Sequence, residues 1–241
     1  MTREREIDRL KTDFISTAAH ELRTPLTSIQ GFSEILLTRR DLPAAEAKKF
    51  LGYINTQALH LSYIIADLLD LSRIEAGDGI KMTPEHFDVR ELASEVVGML
   101  RPIATSHRFE QQFHGTPSGF RADRRKLAQI FKNIVSNAIK YSPAGGTIRI
   151  IGTAETGGYT IAFSDEGLGM SPEQVERVFQ RFWRADASNT AIEGTGLGMP
   201  IVQALVNAHR GSVKVESALV RGTTISIFLP TEYGDAEDPD R

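Results

Sequence analysis

The chain has 241 residues, with 28 lysines and arginines, 31 aspartates and glutamates, and a net charge of −3. Five acids and one base lie in the last eleven residues, so the remainder is nearly neutral, which excludes a strongly basic nucleic-acid binder and a polybasic membrane surface. The absence of cysteine excludes disulfides, thiolate metal sites and cysteine nucleophiles. No apolar run approaches the roughly 18 residues needed to span a bilayer, and the charged start does not resemble a signal peptide. The length suits one large domain or, better, two modest ones, and a 41% hydrophobic content is enough for a sizeable core.

Two long helices are predicted at the start of the chain. Apolar residues recur at steps of three and four over residues 7–38, and the segment 41–43, which contains Pro43, ends this pattern. A second helix over residues 44–76 carries a heptad seam and ends at the glycines of residues 77–79. This αα-hairpin leaves each apolar stripe half covered. Pairing with a second copy would complete a four-helix bundle, so we predict a homodimer.

Beyond Gly79 the pattern changes to helices mixed with strands of period two. Helices are predicted at residues 89–105, 124–141, 172–183 and 199–209, and strands at 147–151, 159–163, 213–215 and 225–229. Such a mixture is typical of an α/β two-layer sandwich. The predicted domains are residues 1–78 and 79–230, with a flexible linker near residues 77–84. The acidic tail, residues 231–241, lacks periodicity and is predicted to be disordered.

The first helix carries a candidate nucleophile, His20. Glu21 is its neighbour and could accept a proton, and Thr24 lies one turn on. We predict that His20 points to solvent, opposite Leu22 and Leu26. Pro25, inside the helix, removes a backbone donor. An ordinary surface histidine would explain the same pattern.

Two asparagines, Asn133 and Asn137, lie one turn apart on the helix of residues 124–141, beside its buried stripe. Asparagine is a poor helix former, so a stacked pair suggests that the amides meet a ligand. Carboxamide oxygens suit a hard cation such as Mg²⁺. Lys140 and Tyr141 end the helix and could offer a contact to a phosphate and a ring for stacking. A solvated helix face is the competing interpretation.

Two glycine-rich segments follow. Asp165 leaves a strand ahead of Gly167 and Gly169, where glycine permits close backbone approach to a ligand, although a strand-end turn would have the same composition. The second segment runs into a helix, whose free N–H groups and dipole favour phosphate; it comprises Gly194, Thr195, Gly196, Leu197 and Gly198. Its spacing matches neither the Rossmann nor the P-loop fingerprint. Residues 171–193, between the two segments, could form a mobile lid with arginines facing phosphates or an amphipathic surface helix.

In order and spacing, these segments resemble the transmitter region of a two-component sensor histidine kinase over about residues 8–230. The resemblance covers an H box at residues 14–26, an N box at 133–142, two G boxes at 165–169 and 194–198, and an F box at 178–184. It implies a dimerisation and phosphotransfer hairpin followed by an ATP-binding domain of the gyrase/Hsp90/kinase/MutL type.

The resemblance also assigns roles in phosphate transfer. His20 would be phosphorylated by ATP, Glu21 would help to take its proton, and Thr24 would position water in a phosphatase reaction. Asn137 would hold Mg²⁺, with Asn133 close to the phosphates.

The remaining implied roles concern the nucleotide and the partners. Lys140, Tyr141 and Arg184 would contact ATP, and Asp165 would read the adenine amino group. The two G boxes would line the pocket and hinge the lid. The implied partner is a response regulator receiver domain, which would take the phosphoryl group on an aspartate. The implied location is the cytoplasm, for a soluble kinase or for the cytoplasmic part of a membrane-anchored one.

One departure from the family pattern is Met199-Pro200, where a leucine and an alanine are usual after Gly198. We expect it to be benign, because proline is accepted in a first helical turn. It leaves open a nucleotide-gated dimeric scaffold with little kinase activity. A phosphatase-dominant enzyme, dependent on Thr24, is a third interpretation. Nothing before about residue 8 resembles a sensor, so we expect either a piece of a longer kinase or a protein driven by a partner.

Overall fold

A computed structural model describes residues 2–39, 41–76, 80–115, 120–181, 183–184 and 196–231. Within the two long helices, the side chains of residues 2–17, 20, 21, 60, 63, 67 and 70–76 lie outside the description. The chain divides into two compact units, Met1–Glu75 and Ala76–Arg241. The division lies three residues before the predicted domain boundary. The predicted disorder of the tail concerns residues outside the description, apart from Thr231.

The first unit is the predicted helical hairpin, with α1 at Thr2–Thr38 and α2 at Ala44–Ala76. Phe32 of α1 stacks on Phe50 and Tyr53 of α2, with ring centroids 5.5 and 5.1 Å apart. The Pro43 carbonyl accepts hydrogen bonds from the amides of Glu46 and Ala47 and so starts α2.

Much apolar surface of this hairpin stays uncovered in the single chain. Among its described side chains, only Pro25 and Ile64 are buried. Leu26, placed by the sequence on the covered side, is 45% exposed, so that expectation is not met within one chain. Large exposed apolar side chains also include Leu37, Leu51, Leu59, Ile65 and Leu69. This surface is what a second hairpin would bury.

The second unit contains a five-stranded sheet in the order β1-β2-β3-β5-β4. The strands are β1 (His107–His114), β2 (Gly146–Glu155), β3 (Gly158–Asp165), β4 (Ser212–Ala218) and β5 (Gly222–Pro230). Strand β1 runs parallel to β2, and the other three pairings are antiparallel. The helices are α3 (Val89–Leu100), α4 (Arg124–Lys140), α5 (Pro172–Arg177) and α6 (Gly198–Ala208), with a 3-10 turn at Arg101–Ile103.

The core lies between the sheet and the helices α3, α4 and α6. Alternate residues of the strands point into it, because successive side chains of a strand face opposite sides. Those buried residues include Ile148, Ile150, Tyr159, Ile161, Phe163, Ile225, Ile227 and Leu229. The predicted stripe of α4, Leu127, Ile130, Ile134 and Ala138, is buried against them. The predicted α/β sandwich is therefore confirmed.

One strand of the structure was not predicted, and two predicted helices end earlier than expected. Strand β1 was absent from the prediction, because its polar sequence at the sheet edge hides the period of two. The helix predicted over residues 89–105 ends at Leu100, followed by the 3-10 turn that contains Pro102. The helix predicted over 172–183 ends at Arg177, where the chain continues in turns.

Residues 83–86, near the start of the second unit, are hydrogen-bonded to the rest of that unit. Glu85 and Ala122 form an isolated antiparallel bridge, and the Thr83 amide donates to Asp123 Oδ2 over 2.9 Å. His86 Nδ1 donates to the Phe120 carbonyl over 3.1 Å. Residues 83–86 thus belong to the folded second unit, which shortens the predicted linker at its C-terminal end. In the part of the chain that the structure describes, no helix is long and apolar enough to cross a membrane.

Candidate nucleotide and phosphotransfer site

Helix α4 positions the two predicted asparagines. Its N-terminus is capped by Asp123, whose side chain accepts from the Lys126 amide, and its apolar stripe fixes the rotation of the helix on the sheet. Asn133 and Asn137 are half-buried beside that stripe. Asn133 Nδ2 donates to the Gly198 carbonyl over 3.5 Å. The Asn137 amide nitrogen would lie 3.8 Å from a Cβ added at Gly198. Both asparagines therefore face the start of α6, and the solvated-face interpretation does not hold.

The start of α6 offers backbone donors at this point. Gly196 has a φ of 68°, and Gly198 begins the helix without a side-chain cap from Leu197. Amides of a first helical turn lack intrahelical acceptors, so they favour an anion. Pro200 is buried in this first turn and leaves the helix continuous. Gly194 and Thr195, also predicted for this site, lie outside the described residues.

The C-terminal end of α4 brings together the predicted Lys140, Tyr141 and Arg184. Lys140 Nζ lies 5.2 Å from the centre of the Tyr141 ring. Burial raises the pKa of the Tyr141 hydroxyl, and the nearby Arg184 charge partly opposes this rise. Arg184 thus lies close enough to Tyr141 for its charge to be felt. The last turn of α4, next to these residues, also carries Asn137.

Asp165 ends β3 and is half-buried beside this helix end. Its Oδ1 accepts hydrogen bonds from the Gly167 amide over 2.9 Å and the Thr223 amide over 3.3 Å. Burial raises the pKa of the Asp165 carboxyl, and the Gly167 and Thr223 amides oppose that rise. A partly desolvated carboxylate with one oxygen held by the backbone can present the other to a ligand amine.

The two glycines after Asp165 are required by close contacts. A Cβ at Gly167 would collide with the Tyr141 carbonyl, and one at Gly169 would collide with the Ala218 carbonyl. Gly169 also has a φ of 66°, in the left-handed region. The Leu168 amide donates to the Tyr141 carbonyl over 2.9 Å, so the loop is tied to the end of α4.

The residues predicted for phosphotransfer lie in the first unit. His20 and Glu21 belong to the middle of α1, but their side chains, and with them the predicted solvent-facing direction of His20, lie outside the described residues. Thr24 is exposed one turn on, and α1 continues through the buried Pro25. The predicted site residues thus occur as two groups, one in each unit.

Sequence reasoning assigned no role to three residues that surround the Asp165 carboxyl or support its neighbours. Thr223 supplies an amide to Asp165, and Ser142 is buried beside the same carboxyl. His107, on β1, donates a hydrogen bond from Nε2 to the Ser142 carbonyl. Only Ser142 had a signal in the sequence, as the residue after Tyr141, because the other two reach the site through the pairing of strands.

Two family models match the chain. The model described as "His Kinase A (phospho-acceptor) domain" matches residues 10–77, and the one described as "Histidine kinase-, DNA gyrase B-, and HSP90-like ATPase" matches residues 122–233. Their order is that of the hairpin and the sheet unit. The chain belongs to the sensor histidine kinases. They are ATP-dependent protein-histidine kinases, with a phospho-acceptor hairpin ahead of an ATPase domain.

Curated relatives of the kinase cover nearly the whole chain. Histidine protein kinase DivJ of Caulobacter vibrioides is 35% identical over 95% of the chain, and sensor histidine kinase WalK of Bacillus subtilis is 31% identical over 100% of it. The chain spans about 40% of the length of each relative.

Solved structures share the fold. Full-length ShkA in complex with AMPPNP matches with a TM-score of 0.65 and 27% identity, over 92% of the kinase chain and 45% of ShkA. Acinetobacter baumannii histidine kinase AdeS matches with a TM-score of 0.63 and 24% identity, over 88% of the kinase chain and 98% of AdeS, which shows the fold alone.

Proposed function

We propose that the chain phosphorylates itself on His20 from ATP and passes the phosphoryl group to an aspartate of a response regulator receiver domain. The observation that supports this proposal is the meeting of three elements in the second unit. Asn133 and Asn137 face Gly198 at the start of α6, and the Asp165 loop is tied to the end of the same helix α4. This arrangement suits a triphosphate at one end and a base at the other.

Each residue has a chemical task in this proposal. The α6 amides bind phosphate oxygens, while Lys140 and Arg184 balance their charge. Asp165 accepts a hydrogen bond from the adenine amino group. The Asn137 carboxamide oxygen would hold Mg²⁺, an ion that favours oxygen ligands, with Asn133 beside it. When bound, that ion neutralises charge on the phosphates.

The transfer itself needs positioning more than covalent help. A nitrogen of the His20 imidazole forms a bond to the γ-phosphorus, and the bond from that phosphorus to the ADP oxygen breaks. Glu21 takes the imidazole proton. In the second transfer the N–P bond breaks as an aspartate oxygen of the receiver domain takes the phosphoryl group. Because His20 and the ATP site lie in different units, their approach is the step at which a signal can act.

We infer that the kinase works as a homodimer, because the hairpin exposes Leu51, Leu59 and Leu69.

The test is incorporation of γ-labelled phosphate from Mg-ATP into the purified chain. His20→Ala and Asn137→Ala should abolish an acid-labile, base-stable label. The matched controls are His114→Ala, at the exposed end of β1, and Asn207→Ala, on the exposed side of α6, which should both keep it. A label that persists in His20→Ala would refute the assignment of the acceptor. ATP binding without any label would instead select the nucleotide-gated scaffold.

Phosphatase activity on the regulator is part of the same proposal, and it rests on Thr24, which is exposed one turn beyond His20. Thr24→Ala should slow dephosphorylation of the regulator while autophosphorylation stays near normal. An unchanged dephosphorylation rate would exclude this role.

A further inference from the structure

The hydroxyl of Ser142 is buried, and no hydrogen bond within the described residues accounts for its burial. Ser142 follows the last turn of α4 and is 2% exposed. Its Oγ has no hydrogen-bond partner of good geometry among the described residues. Most buried hydroxyls in proteins are hydrogen-bonded, because an unmatched one is costly to desolvate. An alanine would fill this position without that cost, so the hydroxyl calls for a function.

The Ser142 hydroxyl shares one small space with the Asp165 carboxyl. A Cβ added at Gly167 would lie 2.5 Å from Ser142 Oγ and 2.8 Å from Asp165 Oδ1. The hydroxyl is close enough to lower the pKa of the Asp165 carboxyl, although the two groups make no direct hydrogen bond in the structure. A small rotation, or one ordered water, would complete a bond between the two groups.

The backbone of Ser142 is held from the neighbouring strand. Its carbonyl accepts a hydrogen bond from His107 Nε2 over 3.0 Å and another from the Gly145 amide over 2.9 Å. With Nε2 donating, the His107 Nδ1 lone pair faces the Ser106 hydroxyl at 3.4 Å. Both nitrogens of the ring are therefore used, and the ring has one orientation in which to support Ser142.

We propose that Ser142 is a positioning residue for the base-reading carboxylate, and that His107 supports it. The hydroxyl donates to the Asp165 carboxylate, directly or through one water, and so holds the second carboxylate oxygen toward the adenine amino group. His107 fixes the chain that carries this hydroxyl. The role rests on the proposed function, in which Asp165 reads adenine, and it adds two residues to the determinants of base specificity.

The test compares two nucleotides that differ at one group. ATP and purine riboside triphosphate, which lacks the 6-amino group, are titrated by calorimetry into the wild-type chain and its variants. Ser142→Ala should weaken ATP binding about three- to tenfold, less than loss of the Asp165 hydrogen bond to adenine would, because the carboxylate remains but is held less firmly. The affinity for purine riboside triphosphate should stay unchanged, because that ligand has no amino group to donate to Asp165. Ser136→Ala, on the same helix with its hydroxyl bonded to the Asn133 carbonyl, is the control and should change neither affinity.

His107 is tested in the same way. His107→Ala should reproduce the selective loss for ATP, whereas His107→Gln, which keeps a donor, should retain more of the affinity. Equal losses for both nucleotides in Ser142→Ala, or no loss for either, would overturn the positioning role while leaving the kinase proposal intact. Failure of the wild-type chain to bind ATP at all would overturn the kinase proposal and this role with it.

Discussion

Replacing Asp165 by asparagine tests separately what the half-buried carboxylate costs in folding stability and what it contributes to ATP binding. Burial raises the pKa of the Asp165 carboxyl, which means that folding disfavours its ionised form. This unfavourable contribution is present above the folded pKa and disappears as pH falls toward the ordinary value of 3.8. Asparagine resembles the protonated form and keeps an Oδ1 that can accept from the Gly167 and Thr223 amides.

The expected effects on stability and on binding therefore have opposite signs. At neutral pH, Asp165→Asn should leave the free energy of unfolding unchanged within about 1 kcal/mol, or raise it, since the charged group is removed and both backbone bonds remain. The asparagine amide would then point an N–H donor at the adenine amino group, itself a donor. Loss of a hydrogen bond to a charged acceptor, about 1.5–3 kcal/mol, corresponds to ATP binding about ten- to 150-fold weaker.

The assay pairs urea unfolding, followed by circular dichroism, with calorimetric titration of ATP and inosine triphosphate. Inosine carries a carbonyl at position 6, so the asparagine amide can donate to it, and inosine triphosphate should lose much less affinity than ATP. Glu166→Gln is the neighbouring control, because Glu166 is exposed and bonded to Thr147 and Arg149. The reasoning fails if Asp165→Asn binds ATP as tightly as the wild type, or if it unfolds more than about 2 kcal/mol more easily.

Three further outcomes are expected. Gly169→Ala should cost about 2 kcal/mol or more of stability, because its Cβ would strike a backbone carbonyl. The control Gly157→Ala, also at positive φ (83°) but with no atom within 4 Å of the added Cβ, should cost only about 1 kcal/mol, and equal losses in urea unfolding would contradict the clash. Burial lowers the pKa of His209, so the free energy of unfolding should be constant above about pH 6.5 and fall by at most ~1.4 kcal/mol per pH unit below it, as the unfolded chain takes up the proton first. His209→Gln should lack this part of the pH dependence, and identical plots of stability against pH for the two proteins would disprove it. Leu59→Glu, at a position 51% exposed on the hairpin, should yield monomers in light scattering, while Leu219→Glu, 60% exposed in the second unit, should leave the dimer intact; a dimeric Leu59→Glu would refute the hairpin interface.

Local patterns were sufficient to predict the elements with strong periodicity. The stripe of α4 and the alternation in β3 and β5 each place one face inward, and the structure buries those faces. Strand β1 was missed because it lies at the sheet edge with a largely polar sequence. Helix α5 was predicted too long, since apolar and basic residues continue at helical spacing past Arg177 while the chain itself turns.

The sequence by itself determined the two-part organisation, the asparagine pair and the glycine segments, because these depend on residue type and short-range spacing. The contacts that make a site of them were decided only by the tertiary structure. Asn133 meets Gly198 across 65 positions of the chain, and Ser142 receives its support from His107 across 35. Asp165 takes a hydrogen bond from Thr223, 58 positions away, because β3 pairs with β5. Such contacts depend on which strands pair and how helices rotate on the sheet, and neither is encoded in the spacing of any single segment.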